Sequence, residues 1–308
     1  MEVHWQIREL LAATRGQPAF SDLTPQAARL LLDQMTAARP AISLPELRDV
    51  RNITMRGPGG NLTLRHYRPL QVPIRGALIY LHGGGWVLGS PDTCDPICRI
   101  LADESGCDIY SVDYRLAPEF PFPAGLDDAF AALTWAANHA RAMPLFIGGD
   151  SAGGNLAAAC CLRAREARGP KLSGQLLLYP VTDHDFQTLS YRKHGAKDLM
   201  VTAKDMQWYW RHYVADETQS HNPLASPLRA ATLSGLPNAL VVVAGFDPLC
   251  DEGEAYARRL RTDGTPVELR RYDDMVHGFL GLIGLLDAAN DAARSAGKWV
   301  LDRTRQFW

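Results

Sequence analysis

Gly148-Gly149-Asp150-Ser151-Ala152-Gly153-Gly154-Asn155 is the stretch on which the rest of the chain turns. The apolar run at 143–147 before it reads as a buried strand. Leu156-Ala157-Ala158-Ala159-Cys160-Cys161-Leu162 after it reads as a helix. A strand enters, a tight turn carries Ser151, and a helix leaves. Gly149 and Gly153, two residues either side of the serine, let strand and helix backbones press together where any Cβ would clash. The hydroxyl of Ser151 is left at the C-terminal edge of a sheet. The first helical amides point near it and favour developing negative charge. A Gly/Ser-rich turn can also do no more than join a strand to a helix, so the remaining sequence has to decide.

Working outward, strands and helices alternate. Residues 76–81 are continuously apolar, as in a strand buried on both faces, and end in His82-Gly83-Gly84-Gly85-Trp86. A helix is expected over 95–105. The next apolar strand, 107–112, ends in Asp113-Tyr114-Arg115-Leu116-Ala117-Pro118-Glu119, and a helix follows over 126–140. Earlier, 50–55 and 62–68 flank Gly57-Pro58-Gly59-Gly60, a hairpin signal. Later, strands are expected at 175–179, 239–244 and 267–272, with helices over 254–262 and 287–304. Two stretches break the rhythm. Residues 1–45 read as helical, with Asp22 or Thr24 as a cap and Pro25 in the first turn. Residues 181–222 are rich in aromatics, and Thr202 with Asp205 resembles a capping box that opens a helix over 203–214. The fold class is α/β: a mostly parallel sheet with helices on both faces. In such sheets sites lie beyond the carboxyl ends of strands. Four loops there carry the unusual residues: 82–86, 149–153, Asp247 and His277.

Composition narrows the function classes. The chain has 308 residues, of which 46% are hydrophobic and 21% charged, which suits a globular protein. A net charge of −2 leaves no dominant basic face, so no nucleic-acid partner is expected. The start, Met1-Glu2-Val3-His4-Trp5, does not read as a secretory signal, and no apolar run is long enough to span a bilayer. A cytoplasmic location is the default expectation. Six scattered cysteines form no C-x-x-C, and no H-E-x-x-H occurs, so no metal site is expected and the thiols should be free.

A serine hydroxyl is a poor nucleophile at neutral pH; it needs a base within hydrogen-bond reach, and the base needs an orienting acid. His277, after the last strand and beside Gly278, is the base candidate. His82 is its rival and is assigned to bracing the glycine loop, while His184 falls in the aromatic stretch. Asp247 is the acid candidate, with Asp183 its competitor because that residue also follows a strand. Asp113 and Asp150 are expected to brace their own loops. The chain order is Ser151, Asp247, His277, the order of α/β-hydrolases. Gly83, Gly84 and Ala152 are the candidate amide donors to an oxyanion. No G-x-x-x-x-G-K and no G-x-G-x-x-G accompanies the glycine run, which weakens a phosphate-loop reading.

Taken together, the motifs at 82–86, 113–119, 149–155, Asp247-Pro248-Leu249 with Asp251-Glu252-Gly253, and His277-Gly278-Phe279 resemble the hormone-sensitive-lipase-like esterases, in their bacterial branch with aspartate before the serine. The resemblance spans nearly the whole chain. It implies an α/β-hydrolase fold and a serine carboxylesterase acting on short- to medium-chain acyl esters, with no cofactor. It also implies a helical cap made of 1–45 and 183–222 over a core made of 46–182 and 223–308. Trp86, Trp208 and Trp210 are expected to contact substrate. The partner is a small-molecule ester, and a homodimer is left open. Two alternatives stand beside this reading: a catalytically silent ligand-binding member of the fold, and an amidase or acyltransferase using the same residues.

Overall fold

Gly57 faces Gly60 across the turn made by Pro58 and Gly59, and this turn joins β1 (Asp49–Gly57) to β2 (Gly60–Arg68) as an antiparallel pair. The structure is a computed structural model that describes residues 2–140, 143–197 and 199–307. Met1, Asp198 and Trp308, each in a segment delimited above, lie outside the described residues. β2 pairs antiparallel with β4 (Asp108–Val112). From there the sheet is parallel through β3 (Ala77–Leu81), β5 (Leu145–Asp150), β6 (Gly174–Leu178), β7 (Ala239–Phe246) and β8 (Val267–Val276). Among the described residues the spatial order is β1-β2-β4-β3-β5-β6-β7-β8.

The pleat explains why the central strands are apolar throughout. Successive side chains point to opposite faces, and both faces are covered. Leu78 and Tyr80 of β3 pack with α3 (Asp95–Ser105) and α9 (Asp287–Thr304) through Leu101, Ala296 and Trp299. Ile79 and Leu81 point the other way, into the core shared with α4 (Ala124–His139), α5 (Ala152–Glu166) and α8 (Cys250–Thr262). At the far edge β8 alternates between half-buried and exposed residues over most of its length, and only Met275 and Val276 at its end are fully buried. This strand runs past the expected 267–272, so Asp273 and Asp274 belong to it and not to the loop that follows.

Four helices stand outside the two layers: α1 (Trp5–Ala13), α2 (Pro25–Ala37), α6 (Leu189–His194) and α7 (Ala203–Tyr213). Thr24 caps α2 by accepting from the Ala27 N–H at 3.3 Å, with Pro25 in the first turn. α7 opens on the capping box: the Asp205 N–H donates to Thr202 Oγ1 at 3.1 Å, and the Thr202 N–H donates to the Asp205 carboxylate at 3.0 Å. Asp205 also accepts from the Ser21 N–H, which ties α7 to the segment before α2. The short α6 carries no helical period long enough to be read in advance, although Thr188 caps it. All six cysteines are free and buried. Among the described residues no helix is long and apolar enough to cross a membrane.

Candidate active site

The β5–α5 turn is under backbone strain. Ser151 has φ +55° and ψ −118°, a conformation that a residue with a side chain adopts only when its surroundings enforce it. The enforcement is local. The Ser151 N–H donates to the Leu178 carbonyl at 2.8 Å, and Asn155 ties the start of α5 to the Val181 and Ala225 carbonyls at 2.9 and 2.8 Å. A Cβ on Gly153 would sit 1.9 Å from the Leu81 carbonyl oxygen, and one on Gly149 would sit 2.5 Å from the Gly153 carbonyl carbon. Both positions therefore require glycine for the strand and helix to approach so closely.

Two strand ends deliver the partners. Asp247 follows β7 and is fully buried; one carboxylate oxygen accepts from the Leu249 N–H at 2.8 Å, and the other lies 2.8 Å from His277 Nδ1. His277 follows β8, and its Nε2 lies 2.9 Å from Ser151 Oγ. A carboxylate only accepts, so Nδ1 carries the proton and Nε2 is left to accept from the serine hydroxyl. Tyr179 packs edge-on against the His277 ring at 4.9 Å and limits its rotation. Asp183, the competing acid, pairs instead with Arg229 and accepts from the His184 N–H. Asp251 accepts from the Ser190 N–H at 2.8 Å.

The glycine loop is held from below. His82 stacks on Tyr114 at 4.3 Å with its Nδ1 2.7 Å from the Gly83 carbonyl, and burial lowers its pKa to about 4, so it sits as a neutral brace. Asp150 accepts from the Tyr80 hydroxyl at 2.9 Å and from the Gly83 N–H at 3.1 Å. Burial raises the pKa of this carboxyl, against those two bonds. The expectation of a free amide donor at Gly83 is thereby corrected: its N–H is already spent on Asp150. Among the described residues the amides of Gly84 and Gly85 have no acceptor. Both residues have positive φ, +112° and +60°, which turns the backbone of the loop over.

A cavity of about 170 Å³ opens among the loops that flank the serine, lined among others by Gly83, Gly84, Asp150, Tyr179, Tyr209 and Gly278; its wall includes the chain neighbours of Ser151 and His277 but not those two residues. The three tryptophans expected to contact substrate do not line it. Trp86 stacks face to face on Tyr213 at 3.9 Å and meets Trp210 edge-on, and both tryptophans are buried. Trp208 packs against Tyr209 and His212. The helical period separates the three neighbours, so the face of α7 that meets the glycine loop presents Tyr209. A Cβ on Gly85 would sit 2.1 Å from that ring. Reading the sequence also missed Arg29 on α2. It donates to the Val87 and Ala117 carbonyls at 2.8 Å each and pairs with Glu119 at 2.6 Å, fastening the N-terminal helices onto the 82–88 and 113–119 loops. A lone arginine on a helix carries no signal of its partner 90 residues away. Among the described residues no three His, Cys, Asp or Glu side chains gather as a metal site.

A family model described as an alpha/beta hydrolase fold matches residues 78–281. The chain is 45% identical over 263 residues to the carboxylic ester hydrolase LipN of Mycobacterium tuberculosis, covering 82% of this chain and 70% of that protein. It is 39% identical to an arylesterase of Saccharolobus solfataricus, over 76% of this chain and 78% of that one. The crystal structure of a thermostable esterase from Pseudomonas putida superposes with a TM-score of 0.92 at 36% identity, covering 98% of both chains.

Proposed function

The chain belongs to the α/β-hydrolase-fold family, in its hormone-sensitive-lipase-like branch of carboxylic ester hydrolases, and on that premise we propose that Ser151, His277 and Asp247 carry ester hydrolysis through an acyl-enzyme. The observation that carries this reading is the continuous hydrogen-bonded chain from Ser151 Oγ through His277 to Asp247, with links of 2.9 and 2.8 Å. His277 Nε2 takes the hydroxyl proton as Ser151 attacks the ester carbonyl. The oxygen of the tetrahedral intermediate becomes an anion within reach of the amides of Gly84, Gly85 and Ala152. These donors are already oriented, so little reorganisation accompanies the charge; losing one such donor typically costs about 3–4 kcal/mol. His277 then gives its proton to the departing alkoxide. A water, deprotonated by the same nitrogen, resolves the acyl-enzyme, and Ser151 leaves with its proton restored. Asp247 holds the ring in the tautomer that every step needs and stabilises the imidazolium that forms between them.

Chain-length selection follows from the cover. Segments 1–45 and 183–222 are proposed as the cap, on the observation that Phe20, Leu32 and Tyr209 wall the cavity. A cavity of about 170 Å³ is smaller than the ~300–1,000 Å³ pockets that take drug-sized ligands. Each buried methylene adds roughly 0.8 kcal/mol until the wall is met. The test is a series of p-nitrophenyl esters from acetate to palmitate, run on the wild type and on Ser151→Ala. The rate should peak between butyrate and octanoate, and the variant should fall below about a thousandth of wild type, near the residual level left by amide donors and binding alone. Best turnover of palmitate would remove the short cavity as the limit on chain length, and substantial activity in Ser151→Ala would remove the nucleophile.

A further inference from the structure

Arg39 is the one lysine or arginine among the described residues that line the cavity bounded by Asp150 and Gly278, the chain neighbours of Ser151 and His277. It stands two residues past the end of α2 and is half-buried. A guanidinium has five N–H donors. Here Nη1 donates to the Thr93 carbonyl at 3.0 Å, and among the described residues no carboxylate pairs with the rest. Burial pushes the Arg39 pKa down, partly offset by Cys94, Asp150 and Asp95, but an arginine keeps its charge. The guanidinium N–H groups left over are not buried, so they face water at the cavity, and an anion arriving with a ligand can take the place of that water. The acid in the cavity wall, Asp150, has turned its carboxyl to Tyr80 and Gly83, so it does not supply the missing partner.

We propose that Arg39 is a specificity-determining residue that receives a free carboxylate carried by the ester, so that monoesters of dicarboxylic acids are favoured over neutral esters of equal length. This rests on the ester hydrolysis at Ser151 proposed above. A plainer role competes with it. A cation just past a helix C-terminus favours the helix dipole, and the bond to Thr93 tethers α2. That role affects all substrates alike, whereas carboxylate recognition affects one class and acts through binding.

The experiment compares the p-nitrophenyl hemi-ester of adipic acid with p-nitrophenyl hexanoate, matched in carbon count, with spontaneous hydrolysis subtracted. Phenyl butyrate and its 4-carboxyphenyl counterpart carry the same comparison on the alcohol side. In Arg39→Gln the ratio of kcat/KM for the charged over the neutral ester should fall about 10- to 100-fold, the size of a charge-assisted hydrogen-bonded pair. The loss should lie in KM, as for a remote group bound equally in ground and transition states. Arg39→Lys should recover part of the ratio, because it keeps the charge and loses the fork. Salt should raise KM for the charged ester in the wild type and leave the neutral one nearly still; this arm needs no variant and holds even if Arg39→Gln folds poorly. Equal losses on both esters, or a ratio insensitive to both salt and substitution in both series, would overturn the role of Arg39. Failure of the wild type to hydrolyse hexanoate would instead strike the esterase reading itself.

Discussion

Asp247 and Asp183 both follow a strand of the inner sheet, and in the sequence nothing but order along the chain separates them. In space they are unlike. Asp247 faces the imidazole and spends its other oxygen on the Leu249 amide, whereas Asp183 faces Arg229. Replacing the acid by an amide allows the wrong histidine tautomer, which in a serine triad costs about 10⁴ in kcat. Asp247→Asn should therefore lose about 10³- to 10⁴-fold in kcat, and Asp183→Asn no more than a few-fold, measured on p-nitrophenyl butyrate. The reverse ranking would move the orienting acid to Asp183. Gly83 shows the opposite limit of residue-level reading. Three consecutive glycines look equivalent as donors until Asp150 takes the first amide.

At the scale of elements, α2 is held to the core through Arg29, whose guanidinium reaches two loop carbonyls and the Glu119 carboxylate. The hydrogen bonds from Arg29 hold the Glu119 pKa down to about 2, from an ordinary 4.5. A carboxylate with a depressed folded-state pKa contributes stability that is fully present above the unfolded value and is lost as pH falls through the folded one. The gap in Tm between wild type and Glu119→Gln should thus be constant above about pH 5 and close between pH 4.5 and about 2. The side chain is 41% exposed, so solvent screens the pair and the gap is small. A gap that persisted at pH 2 would mean that the glutamate acts through packing and not through its charge. The boundaries of α3, α7 and α9 were legible because caps, prolines and apolar period mark them. α6 was not, because a turn and a half of helix is set by the surface it lies on.

For the whole molecule, the tightest glycine position among the described residues lies between β3 and α5, where Gly153 meets the Leu81 carbonyl. Both sides of this contact are backbone, so a methyl group there has nowhere to go. Gly153→Ala should destabilise the fold by about 3 kcal/mol or more, beyond the usual 1–3 kcal/mol of overpacking, read from the midpoint of urea unfolding. A loss under about 1 kcal/mol would mean that α5 can slide without harm. The alternation of strands and helices in the core, the elbow, the candidate serine, histidine and aspartate, and the family resemblance were read from the sequence alone. They rest on local signals: apolar runs, glycines at backbone contacts, caps, and chemistry placed at strand ends. The tertiary structure alone decided which amide of the glycine run is occupied, that Tyr209 and not its flanking tryptophans walls the cavity, that Arg29 reaches the 82–88 and 113–119 loops, and that Arg39 lines the cavity. The occupied amide depends on how the ends of β3 and β5 meet, and the rest on the angle at which an outlying helix packs across the sheet edge. That angle is set by contacts between residues far apart in the chain, and no periodicity within the chain encodes it.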